Sequence, residues 1–254
     1  MERASLGACD SNRCPSGCGQ NIAIALTMGE GVMSTTWKLK LLEDWIKANR
    51  PNDKHTAELP KSLSRSALIL SHHLILARDA FAEFQPSDGD GFEMFAAMAS
   101  FDPKFSSAAL VQEANIIAAI HTVRNYADIF AQLANALAMP TPLDIHKCDF
   151  SKVTEGLPAS NLKTQMQELN SSHWFRYLAA FSNISKHRRL LQSKPTALLT
   201  ENVSGLRVEE FSFRFGQEEI TFPSCWAHDL IEEVHTVYRR ILMLGQELNQ
   251  HVLR

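Results

Sequence analysis

The chain has 254 residues, long enough for one large domain or two small ones and for a buried core without disulfide staples. Hydrophobic residues make up 45% and charged residues 21%, which excludes collagen-like, low-complexity and globally disordered classes. The formal charge is −3, from 25 basic and 28 acidic residues, so any contact with a polyanion must be local.

Residues 1–32 differ from the rest. They carry three of the five cysteines, Cys9, Cys14 and Cys18, among Gly, Ser and Asn. The apolar run Ile22 to Leu26 is too short for a signal-peptide core or a membrane span. Nothing later in the chain is longer and as apolar, so a soluble cytoplasmic protein with no membrane partner is expected. The cysteine spacing resembles half of a zinc site, but a structural site wants four ligands. An unstructured tail is the plainer reading. A third is a mis-assigned extension: Met33 opens MSTTWKLKLLEDWIKAN, and codons for Gly29-Glu30-Gly31 can contain a purine-rich ribosome-binding run. Without residues 1–32 the chain has 23 basic and 25 acidic residues, a charge of −2. Residues 33–254 then read as a single domain with neither an internal repeat nor a dividing linker.

Trp37 to Ala48 is a short amphipathic helix stopped by Asn49-Arg50-Pro51. Residues 51–65 are polar with two prolines and read as a loop. Ser66 to Phe84 has apolar residues at three- and four-residue spacing and reads as a helix, with Ser62 or Ser64 as its cap. After a turn from Pro86, Phe92 to Ser100 is a short helix. Phe105 to Met139 lacks Gly and Pro and is rich in Ala, Leu and Ile, so a long helix is predicted. Residues 140–158 form a connection, and Asn161 to Ser193 a second long helix ended by Pro195. Leu206 to Phe215 alternates, Gly216-Gln217 turns, and Glu218 to Phe222 alternates again, a β-hairpin within about 205–222. Ser224 to His251 is the last helix, with Ser224 as its cap. The fold class is all-α: an antiparallel bundle of four main helices with a β-hairpin inserted before the last. A hairpin alone is not stable in water, so it must pack on the bundle or on another subunit.

The candidate functional residues are those that interrupt the apolar pattern. His121, Arg124, Asn125 and Asp128 fall at offsets that share one helix face, continued by Gln132 and Asn135. Arg176, Asn183 and His187 share a face of the next long helix. Between Arg176 and Lys194 stand Lys186, Arg188 and Arg189 and no acidic residue, the local positive patch that the composition requires. Two readings stay open. Cations near a helix C-terminus complement the macrodipole, Arg124–Asp128 is an ordinary helical ion pair, and a polar stripe can set the register of a bundle. Alternatively, the chemistry suits a phosphodiester. His187 moves a proton near neutral pH, Lys or Arg holds phosphate, and the Asn183 amide orients the attacking 2′-hydroxyl. That route to RNA cleavage needs no metal and no cofactor.

FSNISKHRRLL, Phe181 to Leu191, resembles the signature region of the HEPN superfamily of all-α, RNA- and nucleotide-associated domains. The family motif is an Arg, often followed directly by Asn, Asp or His, and a His separated from that Arg by four to six residues. Asn183 and His187 match it, and Ser182 stands at the Arg position. Asn115 to Leu137 is similar to the preceding family helix, and the likeness extends by helix pattern over about 66–254. The resemblance implies a metal-independent endoribonuclease with His187 and Asn183 as catalytic residues. Lys186, Arg188, Arg124 and Arg176 would hold phosphate, with Asp128, Asn125 and His121 orienting. It also implies a homodimer with both motifs at the interface, and a toxin–antitoxin or defence setting with an antitoxin-type protein partner. With the Arg replaced, the alternative is a non-catalytic dimeric module that binds RNA or a nucleotide.

Other constellations carry less. Glu232 and His235 form one ExxH where a di-iron bundle needs two. His228-Asp229 resembles a metal-dependent phosphohydrolase dyad but no later Asp follows. His72 and His73 are adjacent and point to different faces. Trp174 and Trp226 read as packing anchors, and Cys148 and Cys225 as isolated thiols.

Overall fold

The computed structural model describes residues 37–84, 92–198, 200 and 203–253. Met33 and the three N-terminal cysteines lie outside the described residues. Among those described, eight α-helices and five strands follow one another: α1 Leu39–Asn49, α2 Lys54–Asp79, α3 Phe92–Ala99, α4 Pro103–Ala138, α5 Phe150–Gly156, α6 Asn161–Ser171, α7 His173–His187, β1 Ser193–Leu198, β2 Val203–Val208, β3 Phe211–Phe215, β4 Glu218–Phe222, β5 Cys225–Trp226 and α8 Ala227–Val252. None of these helices is long and apolar enough to cross a membrane.

The mostly helical class stands, with corrections to several boundaries. α2 begins a dozen residues before the expected start. Asp53, not Ser62 or Ser64, is its cap, accepting the Thr56 N–H at 3.0 Å. Pro60 lies inside the helix, where it removes one backbone bond at a cost of about 3 kcal/mol. Burial of Leu59, Pro60 and Leu63 offsets that cost, which local propensity cannot register. The connection after α4 is not irregular throughout: Asp149 accepts the Lys152 N–H at 2.9 Å and starts α5. The expected helix over 161–193 is two helices that end at His187, with 188–192 outside them and Ser193 already opening β1. Ser171 and Ser172 turn their hydroxyls back onto the carbonyls of Gln167 and Leu169, at 2.9 and 2.7 Å, and Ser172 takes an extended backbone (ψ 144°). Such back-bonding competes with helix continuation. α8 starts at Ala227 without a side-chain cap, because Ser224 precedes the short strand β5.

The β region is larger than one hairpin. Pro195 lies within β1, an edge strand antiparallel to β2, in the sheet order β1–β2–β5. An edge position tolerates a residue without an N–H. The expected strand 206–215 is divided between β2 and β3. Glu209, between them, accepts the Gln192 N–H at 2.8 Å and pairs with Arg189, so the chain turns away from the first sheet there. The predicted hairpin is β3–β4, in the register Phe211↔Phe222 and Phe215↔Glu218, with Gly216 at φ +61° in its turn.

α4, 36 residues or about 54 Å long, is the spine. It packs on α2, α5, α7 and α8. Asp102 caps it and Pro103 stands at its first position. The hairpin docks on α7 through aromatic rings: Tyr177 lies 5.0 Å from Phe211 and 5.4 Å from Phe222 between centroids. Phe181, Phe211 and Phe222 are buried with it, so the hairpin gains its stability from packing on α7.

Candidate functional site

Two helices position the candidate residues. α7 turns Phe175, Leu178 and Phe181 into the core and leaves Asn183, Lys186, His187 and Arg188 exposed. α4 faces it with His121, Arg124 and Asp128.

At their contact His121 is held by two serines of α7. Its Nδ1 lies 2.9 Å from Ser182 Oγ and its Nε2 3.3 Å from Ser185 Oγ. The Ser185 hydroxyl donates to the Phe181 carbonyl at 2.8 Å, so towards His121 it accepts. The network therefore assigns the ring proton to Nε2, and the Ser182 hydroxyl donates to the bare Nδ1. Partial burial, and secondarily the charge of Lys186, lowers the proton affinity of His121 below the ordinary value of 6.5. A neutral ring with both nitrogens engaged is a clasp between α4 and α7. The unfolded chain takes up a proton near pH 6.5 that the folded ring resists, so stability is expected to decline as pH falls below 6.5. His235, also lowered by burial, contributes in the same sense. His121→Gln is expected to flatten part of that decline; denaturant titrations stepped from neutral to acid pH, for both proteins, measure it.

One turn on, the Arg124 guanidinium lies 4.5 Å from the centroid of Phe175 and 3.9 Å from Asp128 Oδ1. Its Nη1 is buried with no hydrogen-bond partner among the described residues. Burial raises the Asp128 carboxyl, opposed by Arg124 and Lys186. Cys148 and Asp149 approach the same cluster from the connection before α5. Burial chiefly, with the carboxylates of Asp149 and Asp128, pushes the Cys148 thiol up to about 11, so it stays protonated at neutral pH. Asn125 is exposed, while Asn135 is buried and clasps Leu143 through two backbone bonds of 2.8 and 3.0 Å.

The basic run divides into neutralised and unpaired members. Arg176 donates to Glu218 at 2.6 Å and covers Phe215, which ties it to the hairpin. Arg189 pairs with Glu209. Lys186 and Arg188 form no salt bridge among the described residues, Lys186 acting on Asp128 only at longer range, and the Arg188 guanidinium lies 5.6 Å from the Phe213 centroid. His187, the last residue of α7, is exposed and makes no side-chain bond among them. The Asn183 amide donates back to Ala179 O at 2.9 Å, which leaves its side-chain oxygen toward solvent.

The nine predicted residues thus separate into a clasp (His121, Arg124, Asp128), an exposed turn (Lys186, His187, Arg188) with Asn183 one turn earlier, a hairpin tie (Arg176), and Asn125 alone. Lys186 is the electrostatic link between clasp and turn. Sequence reasoning missed Ser182 and Ser185 as partners of His121. Their signal was two serines three apart on an otherwise apolar helix face. It also missed Glu209 and Glu218, whose roles depend on where the strands fold back. The Glu232–His235 pair has no metal-like company: Glu232 approaches Arg78 at 3.9 Å. No group of three or more His, Cys, Asp or Glu among the described residues is arranged to hold a metal ion.

No protein-family model, no curated protein and no solved structure matches the chain.

Proposed function

We propose that the protein is an RNA-binding module that holds the phosphate backbone at the C-terminal turn of α7. One observation carries this reading: Lys186 and Arg188 are exposed and form no salt bridge among the described residues, beside an exposed His187, whereas Arg176 and Arg189 of the same run are paired with glutamates. In a chain of charge −3, unpaired cations gathered on one turn form a local anion site. Part of their favourable energy comes from the helix macrodipole, which is compatible with binding. Ser182, at the position where the family resemblance expects Arg, donates to His121, which favours binding over cleavage.

A second reading has an observation of its own. His187 is exposed and is flanked by two cations, with the Asn183 oxygen one turn away, a set of groups that suits metal-independent RNA cleavage.

Titration of a fluorescent single-stranded RNA against rising salt tests both. Lys186→Ala/Arg188→Ala is expected to weaken binding at least tenfold. It should also reduce the slope of log K against log salt by roughly 1.4, about 0.7 for each lost phosphate contact. Equal binding by the double variant and the native protein removes the proposal. RNA incubated in EDTA decides the second reading: cleavage that disappears in His187→Ala supports it, and intact RNA leaves the binding module.

A further inference from the structure

The outer face of α2 carries a pattern unrelated to the α7 turn. Leu68, Ile69, Ile75 and Leu76 are each between 38 and 49% exposed. They recur at three and four residues on the side of α2 opposite its buried residues Leu63, Ala67, Leu70 and Leu74. Val111, also exposed, extends the surface onto α4, where the His73–Asn115 hydrogen bond of 2.9 Å links the two helices. Leu68, Ile69, Ile75 and Leu76 thus line one helix face as a continuous stripe and are not scattered singly over the surface.

The residues on this face, apolar and charged alike, are arranged palindromically about His72. Leu68 and Leu76 stand four residues to either side, Ile69 and Ile75 three, Arg65 and Asp79 seven. Arg65 and Asp79 are exposed, and neither has an ion-pair partner among the described residues. Such a face is self-complementary. When two copies pack α2 antiparallel about a two-fold axis through His72, Leu68 meets the partner's Leu76. Ile69 meets the partner's Ile75, and Arg65 meets the partner's Asp79. All of these contacts occur twice, as an isologous interface requires. Opposite charges then close both ends of an apolar seam, the arrangement that fixes register between helices.

We propose that the chain forms a two-fold homodimer through α2, with Arg65–Asp79 pairs across the interface setting its register. α7 packs on α4, α6 and α8, so the basic turn of each copy stays outside this interface. The dimer is therefore testable without reference to RNA. A single helix face makes a small interface beside the roughly 800 Å² per partner of a standard stable one, so a reversible, concentration-dependent dimer is expected.

Sedimentation velocity of the full chain, from low micromolar concentration upward, reads the association. Arg65→Asp alone sets two Asp–Asp contacts across the axis, and Asp79→Arg alone sets two Arg–Arg contacts. Each variant is expected to raise the dimer dissociation constant at least tenfold. Mixing the two single variants is expected to restore dimerisation, because a heterodimer of Arg65→Asp with Asp79→Arg regains opposite charges at both ends. Helical circular dichroism, unchanged in either variant, separates this effect from unfolding. A native chain that is monomeric at every concentration, as it would be if its own residues 1–36 covered the face, overturns the proposal. Single variants that dimerise like the native chain, or a mixture that stays monomeric, overturn it equally.

Discussion

Gly245→Ala is expected to destabilise the protein by about 1–3 kcal/mol, against the usual sign of that substitution in a helix. Gly245 lies within α8, where alanine would ordinarily be the better residue by about 1 kcal/mol. Here a Cβ would stand 2.2–2.5 Å from three ring carbons of Trp37. The ring is not free to step aside. Its Nε1 donates to Asn249 Oδ1 at 3.0 Å, the Asn249 amide donates to Lys38 O at 2.9 Å, and its edge meets Phe130. Gly245 therefore makes the groove that seats Trp37, two residues before α1. In a Trp37→Ala background the same change is expected to reverse sign and stabilise by roughly 0.5–1 kcal/mol, since only the propensity difference remains. Denaturant unfolding of the four proteins of this double-mutant cycle measures the coupling. Equal effects of Gly245→Ala in both backgrounds would show that Trp37 does not occupy the groove.

Arg124 carries the second large effect, and its size depends on the replacement. Arg124→Ala is expected to cost about 2 kcal/mol, through lost packing on Phe175 and an unpaired Asp128. Arg124→Met keeps the length of the side chain against the ring and removes a buried charge whose Nη1 has no partner. It is expected to be neutral or to stabilise by about 1 kcal/mol. Thermal melts of the two variants separate packing from charge. The same pair reports on function: Arg124→Met is expected to bind RNA like the native protein, because its guanidinium lies on Phe175 and not on the exposed turn. Loss of RNA binding by a stable Arg124→Met would instead make Arg124 a phosphate ligand.

The candidate site illustrates the limits of periodicity. Helical spacing is a property of one element: it put His121, Arg124, Asn125 and Asp128 on one face of α4, but Asn125 stands exposed apart from the other three and Asn135, which continued that face, binds Leu143 instead. Which residue of α7 faces His121 is a property of two elements. Spacing offered Asn183 and His187, whereas Ser182 and Ser185 make the contact. The neutralisation of Arg176 by Glu218 spans 42 residues, and that of Arg189 by Glu209 spans 20. Neither pair can be read before the strands are placed.

The residue order alone determined the helices whose apolar stripe is long and uninterrupted, α4 and α8, and the hairpin turn at Gly216-Gln217. Each is dictated by local steric and hydrophobic periodicity over a single segment. It also determined that positive charge concentrates at Lys186 to Arg189, which is simple composition along the chain. Tertiary structure decided the rest. Burial of Leu59 and Leu63 carried α2 through Pro60, and pairing with β2 turned the chain around Pro195 into an edge strand. The fold also selected which cations remain unpaired and which side of α2 stays uncovered. These outcomes depend on what each segment meets across space, where burial and pairing energies of several kcal/mol exceed local preferences of about 1 kcal/mol or less.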